Sequence, residues 1–263
     1  MVQQLPSLVS TVREILKQQL GSQLKALYLF GSATMGQLRP TSDVDLLGLI
    51  DGEIEPSARE ALLLRLMSVS SCKDSSGRKN RPVELLLFQR ASFDAGLSPP
   101  VCEFRYGEWL RSEYESGSVP GPVASHDFSI LLRQARDSCL VLLGDSAADA
   151  LPVISDEALR RAVLDSLEEL LGNLRGDERN VILTLARMWW TIERGGVTTK
   201  DGAAEWAMAR SSARVASALE IARDAYRGTR GRFDVDDSMA LDVADALAHS
   251  IRGAAATRVR GVY

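Results

Sequence analysis

Residues 31–45 read GSATMGQLRPTSDVD, and they join two apolar runs, Ala26–Phe30 and Val44–Ile50. Runs this short, bounded by Gly, Pro and Ser, read as buried strands rather than helices. Asp43 and Asp45 stand two residues apart where the second run begins. Side chains alternate along a strand, so both carboxylates point to one side. Two carboxylates on one side can hold Mg²⁺. The Gly31-Ser32 turn just before them can present backbone N–H groups to a phosphate. The stretch predicts a nucleotide-handling site at one end of a sheet.

The flanking chain supports a sheet with helices packed on it. Leu8, Val12, Ile15, Leu16 and Leu20 recur at helical spacing, and Gly21 supplies a stop. Ser57-Ala-Arg-Glu60 has the capping-box pattern and opens a second helix to about Val69. Ser70–Pro82 is polar and loop-like, and Val83–Phe88, VELLLF, is a third strand with Glu84 near its start. A carboxylate at the edge of such a strand is costly unless it is paired or metal-bound. If the strands carrying Asp45 and Glu84 are neighbours, three carboxylates meet at one end of the sheet. Helix-strand-helix-strand order with little β afterwards predicts an α/β half.

From Asp127 the pattern turns helical. Phe128, Leu131, Leu132, Ala135, Cys139 and Leu142 form one face. Ala158, Leu159, Ala162, Val163, Leu167 and Leu170 form a second, and Ile182, Leu185, Trp189 and Ile192 a third. Thr198-Thr-Lys-Asp201 caps a further helix, and two more cover Ala216–Tyr226 and Ser238–Ile251. Pro152 breaks the pattern near Leu151–Ser155, which predicts two domains, 1–153 and 154–263.

The bulk numbers exclude several classes. The 263 residues suffice for two ordinary domains. A net charge of −4 argues against a protein that grips nucleic acid by bulk charge. Cys72, Cys102 and Cys139 are widely spaced and form no CxxC, so no disulfide framework or thiolate zinc site is supported. His126 and His249 are too few for a histidine metal cluster. The first residues, MVQQLPSLVS, lack the charge-then-apolar order of a leader, and no apolar run reaches membrane-spanning length. A cytoplasmic monomer with no nucleic-acid or membrane partner is the expectation.

GSATMGQLRPTSDVDLLGLI resembles the signature of the DNA polymerase β-like nucleotidyltransferase superfamily. FRYGEWLRSEYESG, GDERNVILTLARMWW and TTKDGAAEWAM are similar to the aminoglycoside adenylyltransferases that modify spectinomycin, with or without streptomycin. The likeness runs from about Leu24 to Gly228. It implies an α+β nucleotidyltransferase domain with a mixed sheet, followed by a C-terminal α-helical bundle that completes the ATP and drug sites. It implies ATP as co-substrate, two Mg²⁺ ions, and transfer of AMP to the 9-hydroxyl of spectinomycin with release of pyrophosphate.

By that resemblance Gly31 and Ser32 hold the triphosphate, and Ser42 joins the ATP contacts. Asp43 and Asp45 bind the metal. Glu84 sits where the family has its catalytic base and is also a candidate metal ligand. Arg187 and Lys200 reach ATP phosphates, a role that suits a planar fork and a point charge. Tyr226 stacks near the adenine, and Asp127 lies at the nucleotide site. Trp109 forms a wall of the drug pocket, while Asp177, with Asn180, meets the drug's amino groups. Plain structural roles compete at several positions: core packing for Tyr226 and Trp109, helix N-caps for Asp127 and Asp177.

The chain also departs from part of the family. Members that accept streptomycin carry a Trp and an Asp just upstream of the GDERN-like block. The matching positions here are Glu168 and Asn173, and no Trp occurs between Pro152 and Asp177. Loss of an indole removes a large contact surface for the bigger drug. The expected substrate is therefore spectinomycin. The competing readings are a dual-specificity enzyme that takes streptomycin as well, and a nucleotide-binding regulatory module without catalysis.

Overall fold

The structure, a computed structural model, describes residues 4–35, 42–71, 80–94, 96 and 98–260. Two compact units, Met1–Val153 and Ile154–Tyr263, make up the chain.

In the first unit, helix α1 (Gln4–Leu20) leads through Gly21, whose φ of +53° ends it, into β1 (Leu24–Leu29). β2 (Val44–Ile50), α2 (Pro56–Val69) and β3 (Val83–Gln89) follow as a β-α-β unit, and β2 and β3 pair in parallel. Then come α3 (Arg90–Asp94), β4 (Val101–Tyr106), α4 (Arg111–Glu115), β5 (Val123–Ala124), α5 (Asp127–Asp137), β6 (Leu140–Leu143) and α6 (Ala147–Ala150). The sheet order is β5-β4-β3-β2-β1-β6, and every other pairing is antiparallel. The sheet is mixed, as expected, but it has six strands among the described residues where the sequence reading found three.

Both faces are covered, which is why the strands read as nearly continuous apolar runs. Leu27, Leu29, Val44, Leu46, Leu85 and Leu87 pack under α1 and α2. Tyr28, Phe30, Leu47, Leu49, Leu86 and Phe88 pack against Phe128, Leu132 and Ala135 of α5. Strand alternation then assigns Asp45 and Glu84 to the α5 side, in line with Leu47 and Leu86.

Two local expectations are corrected. The helix expected through Leu142 stops at Asp137, because Ser138 turns extended (φ −153°, ψ 101°) and the LVLL that follows pairs with β1. The capping box at Ser57 is not formed. Pro56 takes the first helical position, where its missing N–H costs nothing, and Glu55 becomes the N-cap residue.

At the end of the sheet away from Asp45, Arg59 and Glu103 form a buried ion pair, their side chains 9% and 3% exposed. Glu103 also accepts from the Ile54 N–H at 3.1 Å and from Gln89 Nε2 at 2.8 Å. Removing one partner of a buried pair leaves the other charge uncompensated. Arg59→Met should therefore lower stability by about 3–5 kcal/mol, read from the urea midpoint of the full chain. A loss no larger than that of an exposed ion pair would refute this.

The second unit is helical: α7 (Asp156–Gly172), α8 (Glu178–Arg194), α9 (Lys200–Met208), α10 (Ala213–Arg227) and α11 (Asp237–Arg260). Ser155, Thr199 and Ser212 cap α7, α9 and α10 through their side-chain oxygens, so the expected Thr-Thr-Lys-Asp cap is realised by Thr199. α8 is the central helix and packs on all four others. Its residues 181–183, 185, 186 and 188 are buried, whereas Asn180, Thr184 and Arg187 stay half-buried. Those three are spaced i, i+4, i+7 and share one face.

Candidate active site

β2 and β3 run in parallel with Asp45 directly opposite Glu84. Neighbouring strands lie about 4.8 Å apart, so the two carboxylates are adjacent on one face. Asp43 immediately precedes β2 with the same parity as Asp45. The chain there is held from both sides: the Val44 N–H donates to the Pro82 carbonyl at 2.8 Å, and Arg81 Nη1 donates to the Ser42 carbonyl at 2.9 Å. Ser42 is buried at this entry. Residues 36–41 of the signature lie outside the described residues.

The Gly31-Ser32 turn is built against Asp45. The Phe30 N–H donates to the Asp45 carbonyl at 3.0 Å, and residues 31–33 then wind into one 3₁₀ turn. Gly31 has φ +70°, and a Cβ placed on it would stand 1.9 Å from Asp45 Oδ2. Only glycine permits both that backbone and that approach. The turn is pinned behind by Thr34, whose hydroxyl donates to the Ser138 carbonyl at 3.2 Å.

These residues suit Mg²⁺. The donors are hard carboxylate oxygens, and Gly31 has no side chain to displace the one on Asp45. Among the described residues no three acid, thiol or imidazole groups form a ready-made cage. Mg²⁺ does not require one, since it is usually held by one or two carboxylates together with substrate phosphates and water.

Trp109 lies near Glu84 through the sheet register. Leu85 opposes Tyr106 across β3 and β4, so Glu84 comes opposite Gly107. Trp109 sits on the next turn, 54% exposed, with its ring against Gly107. A Cβ on Gly107 would lie 2.2 Å from the indole. Arg105, overlooked in the sequence, opposes Leu86 and shares the face of Glu84. Its Nε is buried without a hydrogen-bond partner. Diagonal neighbours on paired strands are within reach of long side chains.

Asp127 opens α5, the first residue of the helix rather than its cap. Thr34 meets the C-terminal end of that helix, so Asp127 is about 15 Å along the axis from the Gly31 turn. The structure thus brings Gly31, Asp45 and Glu84 together and keeps Asp127 apart from them.

In the second unit four of the expected site residues form one chain of contacts. Asp177 occupies the N-cap position of α8, but its side chain makes no cap bond. Its Oδ2 accepts from Asn180 Nδ2 at 2.9 Å, and Asn180 Oδ1 accepts from Lys200 Nζ. The same Nζ lies 5.7 Å from the centre of the Tyr226 ring. Arg187 is two turns along the α8 face from Asn180. Glu178 accepts the Gly176 N–H at 2.7 Å, which holds its carboxyl below the usual range. Glu168, one of the positions matched to streptomycin-accepting members, pairs with Arg252 at 2.5 Å.

Known proteins give this geometry a family. Residues 10–93 match the polymerase beta nucleotidyltransferase family, and residues 149–250 match the aminoglycoside adenylyltransferase C-terminal domain. A spectinomycin 9-adenylyltransferase of Staphylococcus aureus is 41% identical over 85% of this chain and 86% of its own. The chain belongs to the aminoglycoside adenylyltransferase family. Another relative in it, an aminoglycoside (3'') (9) adenylyltransferase of Klebsiella pneumoniae, is 30% identical over 93% of this chain and 92% of its own. The fold matches that of the family's spectinomycin adenyltransferase AAD(9) from Enterococcus faecialis, solved with ATP and spectinomycin. That match has a TM-score of 0.87 at 28% identity and covers 94% of this chain and 98% of the other. No helix among the described residues is long and apolar enough to cross a membrane.

Proposed function

We propose that this protein is an adenylyltransferase that moves AMP from ATP to the 9-hydroxyl of spectinomycin and so inactivates the drug. The observation that carries the reading is the Asp45–Glu84 pair on adjacent parallel strands, with Gly31 stripped of a side chain beside it. The substrate follows the higher identity to spectinomycin 9-adenylyltransferases, and it agrees with the absence of a Trp between Pro152 and Asp177.

Asp43 and Asp45, with Glu84, would hold Mg²⁺, two ions in this reading, which neutralises phosphate charge during transfer. Gly31, Ser32 and Ser42 bind the triphosphate, and Arg187 and Lys200 supply cationic contacts to it. Tyr226 completes the nucleotide contacts. Trp109 covers an apolar face of the drug, where a tryptophan also attracts nearby ammonium groups. Asp177 receives the drug's amines, and Asn180 orients Asp177 through its amide. Glu84 takes the proton from the 9-hydroxyl. That oxygen bonds to the α-phosphorus, the bond from α-phosphorus to the bridging oxygen breaks, and pyrophosphate leaves with the electron pair. The protein acts as a monomer in the cytoplasm, without a nucleic-acid partner.

The test is direct. The protein is mixed with Mg-ATP and either spectinomycin or streptomycin, and each drug is examined by mass spectrometry. An AMP adduct on spectinomycin alone is expected. An adduct on both drugs would establish dual specificity, and none on either would overturn the proposal.

A further inference from the structure

Behind the Glu84 strand lies a hydrogen-bond cluster centred on Glu108. Its carboxylate, 19% exposed, accepts from four donors. Ser70 Oγ and Tyr106 Oη reach Oε1 at 2.5 and 2.7 Å. Arg111 Nε reaches Oε2 at 2.7 Å, and its Nη2 reaches Oε1 at 2.9 Å. Burial alone would raise the Glu108 pKa. The hydrogen bonds from Arg111, Ser70 and Tyr106 outweigh it and hold the group below the ordinary carboxylate range. Burial, with the bond to Glu108 second, pushes the Tyr106 phenol well above its usual value.

The partners matter more than their number. Ser70 Oγ, while donating to Glu108, accepts the Val83 N–H at 2.9 Å, and Val83 immediately precedes Glu84. Arg111 Nη2 also donates to the carbonyls of Met67 and Ser70 at 3.2 and 3.0 Å, which anchors the end of α2. Glu108 itself is the residue before Trp109, in the same 3₁₀ turn. The Gly107 N–H accompanies it by donating to Tyr114 Oη at 3.3 Å. One half-buried carboxylate therefore joins the backbone next to Glu84 to the turn that presents Trp109.

We propose that Glu108 is a positioning residue for the transfer reaction, clamping the Glu84 strand start and the Trp109 turn at a fixed separation through Ser70. This rests on the adenylyltransferase reading above. The clamp acts chiefly on the acceptor drug, because Trp109 covers the drug and Glu84 takes its proton, while Asp43, Asp45 and the Gly31 turn, none of them bonded to Glu108 or Ser70, still hold Mg-ATP. Misplacing a reacting group by about 1 Å can cost on the order of 100-fold in rate.

Ser70→Ala, Glu108→Ala and Glu108→Gln test it in the full-length protein. Expected is a fall of about 10- to 100-fold in kcat/KM for spectinomycin in Ser70→Ala and Glu108→Ala, with KM for Mg-ATP nearly unchanged. Glu108→Gln keeps acceptor oxygen for Ser70 and should recover part of the loss. Hydrogen–deuterium exchange should rise together at residues 83–85 and 107–111 in both alanine variants. Unchanged drug kinetics, or equal losses for drug and ATP, would overturn the proposal, as would exchange that rises at one segment only. If the unaltered protein transfers no AMP, the adenylyltransferase reading fails, and the exchange result still decides whether the clamp exists.

Discussion

Glu84→Gln should lower kcat for spectinomycin adenylylation by about 10²- to 10⁴-fold, the range a general base supplies, while Mg-ATP still binds. The substitution keeps the shape of the side chain and its place opposite Asp45 in the parallel register. It removes the negative charge and the site that takes the proton. Asp43 and Asp45 remain to meet a metal-bound triphosphate, so ATP affinity measured by calorimetry should change only a few-fold. Loss of ATP binding in proportion to kcat would instead make Glu84 chiefly a metal ligand. A variant that kept full turnover would remove Glu84 from the chemistry. A regulatory module without catalysis would bind ATP equally before and after the change and transfer nothing in either form.

The carboxylates behind that prediction were legible in the sequence for a physical reason, and their meeting was a condition that the parallel register of β2 and β3 fulfils. A carboxylate inside an apolar run is costly, so Asp45 and Glu84 marked themselves, and the helical segment between their strands suited a parallel crossover. β4 was missed because Glu103 and Arg105 interrupt its apolar pattern. The charge of Glu103 is met by Arg59, a residue more than forty positions away, and local periodicity carries no trace of it. β6 was missed because its leucines continue the helical spacing of α5. What ends that helix is the extended backbone at Ser138 and the open edge of β1. The capping box failed because Pro56 takes the first helical position, which makes Glu55 and not Ser57 the N-cap residue. In the site, residue types were readable and connections were not. Asn180 was expected beside a drug, and the structure shows its amide joined to both Asp177 and Lys200. Glu108 stood inside the quoted block FRYGEWLRSEYESG. Nothing local distinguishes it from a solvated acid, since Ser70, which connects it to β3, is far away in the chain.

Gly31→Ala should lower kcat/KM by about 100-fold or more, with a much smaller effect on folding. Two separate constraints act at this position. The backbone sits at φ +70°, where an L-residue with a Cβ costs about 1–2 kcal/mol. The added methyl would also lie 1.9 Å from Asp45 Oδ2 and 2.8 Å from its carboxyl carbon. Contacts that short cannot persist, so either Asp45 rotates away or the turn lifts off the strand. The turn is tied at both ends, by the Phe30 N–H on Asp45 and by Thr34 on Ser138, whereas a half-buried aspartate side chain can rotate. The carboxylate should therefore yield, and with it the alignment of the metal and triphosphate contacts. KM for Mg-ATP should rise along with the fall in kcat, which separates this variant from Ser70→Ala. The thermal midpoint should drop by no more than the backbone cost implies. Replacing the neighbouring Ser32 by Ala provides the contrast. It changes neither φ at Gly31 nor the space beside Asp45, so its loss should be limited to one hydroxyl contact. If Gly31→Ala retained wild-type kinetics, the close approach of Gly31 to Asp45 would have no part in catalysis.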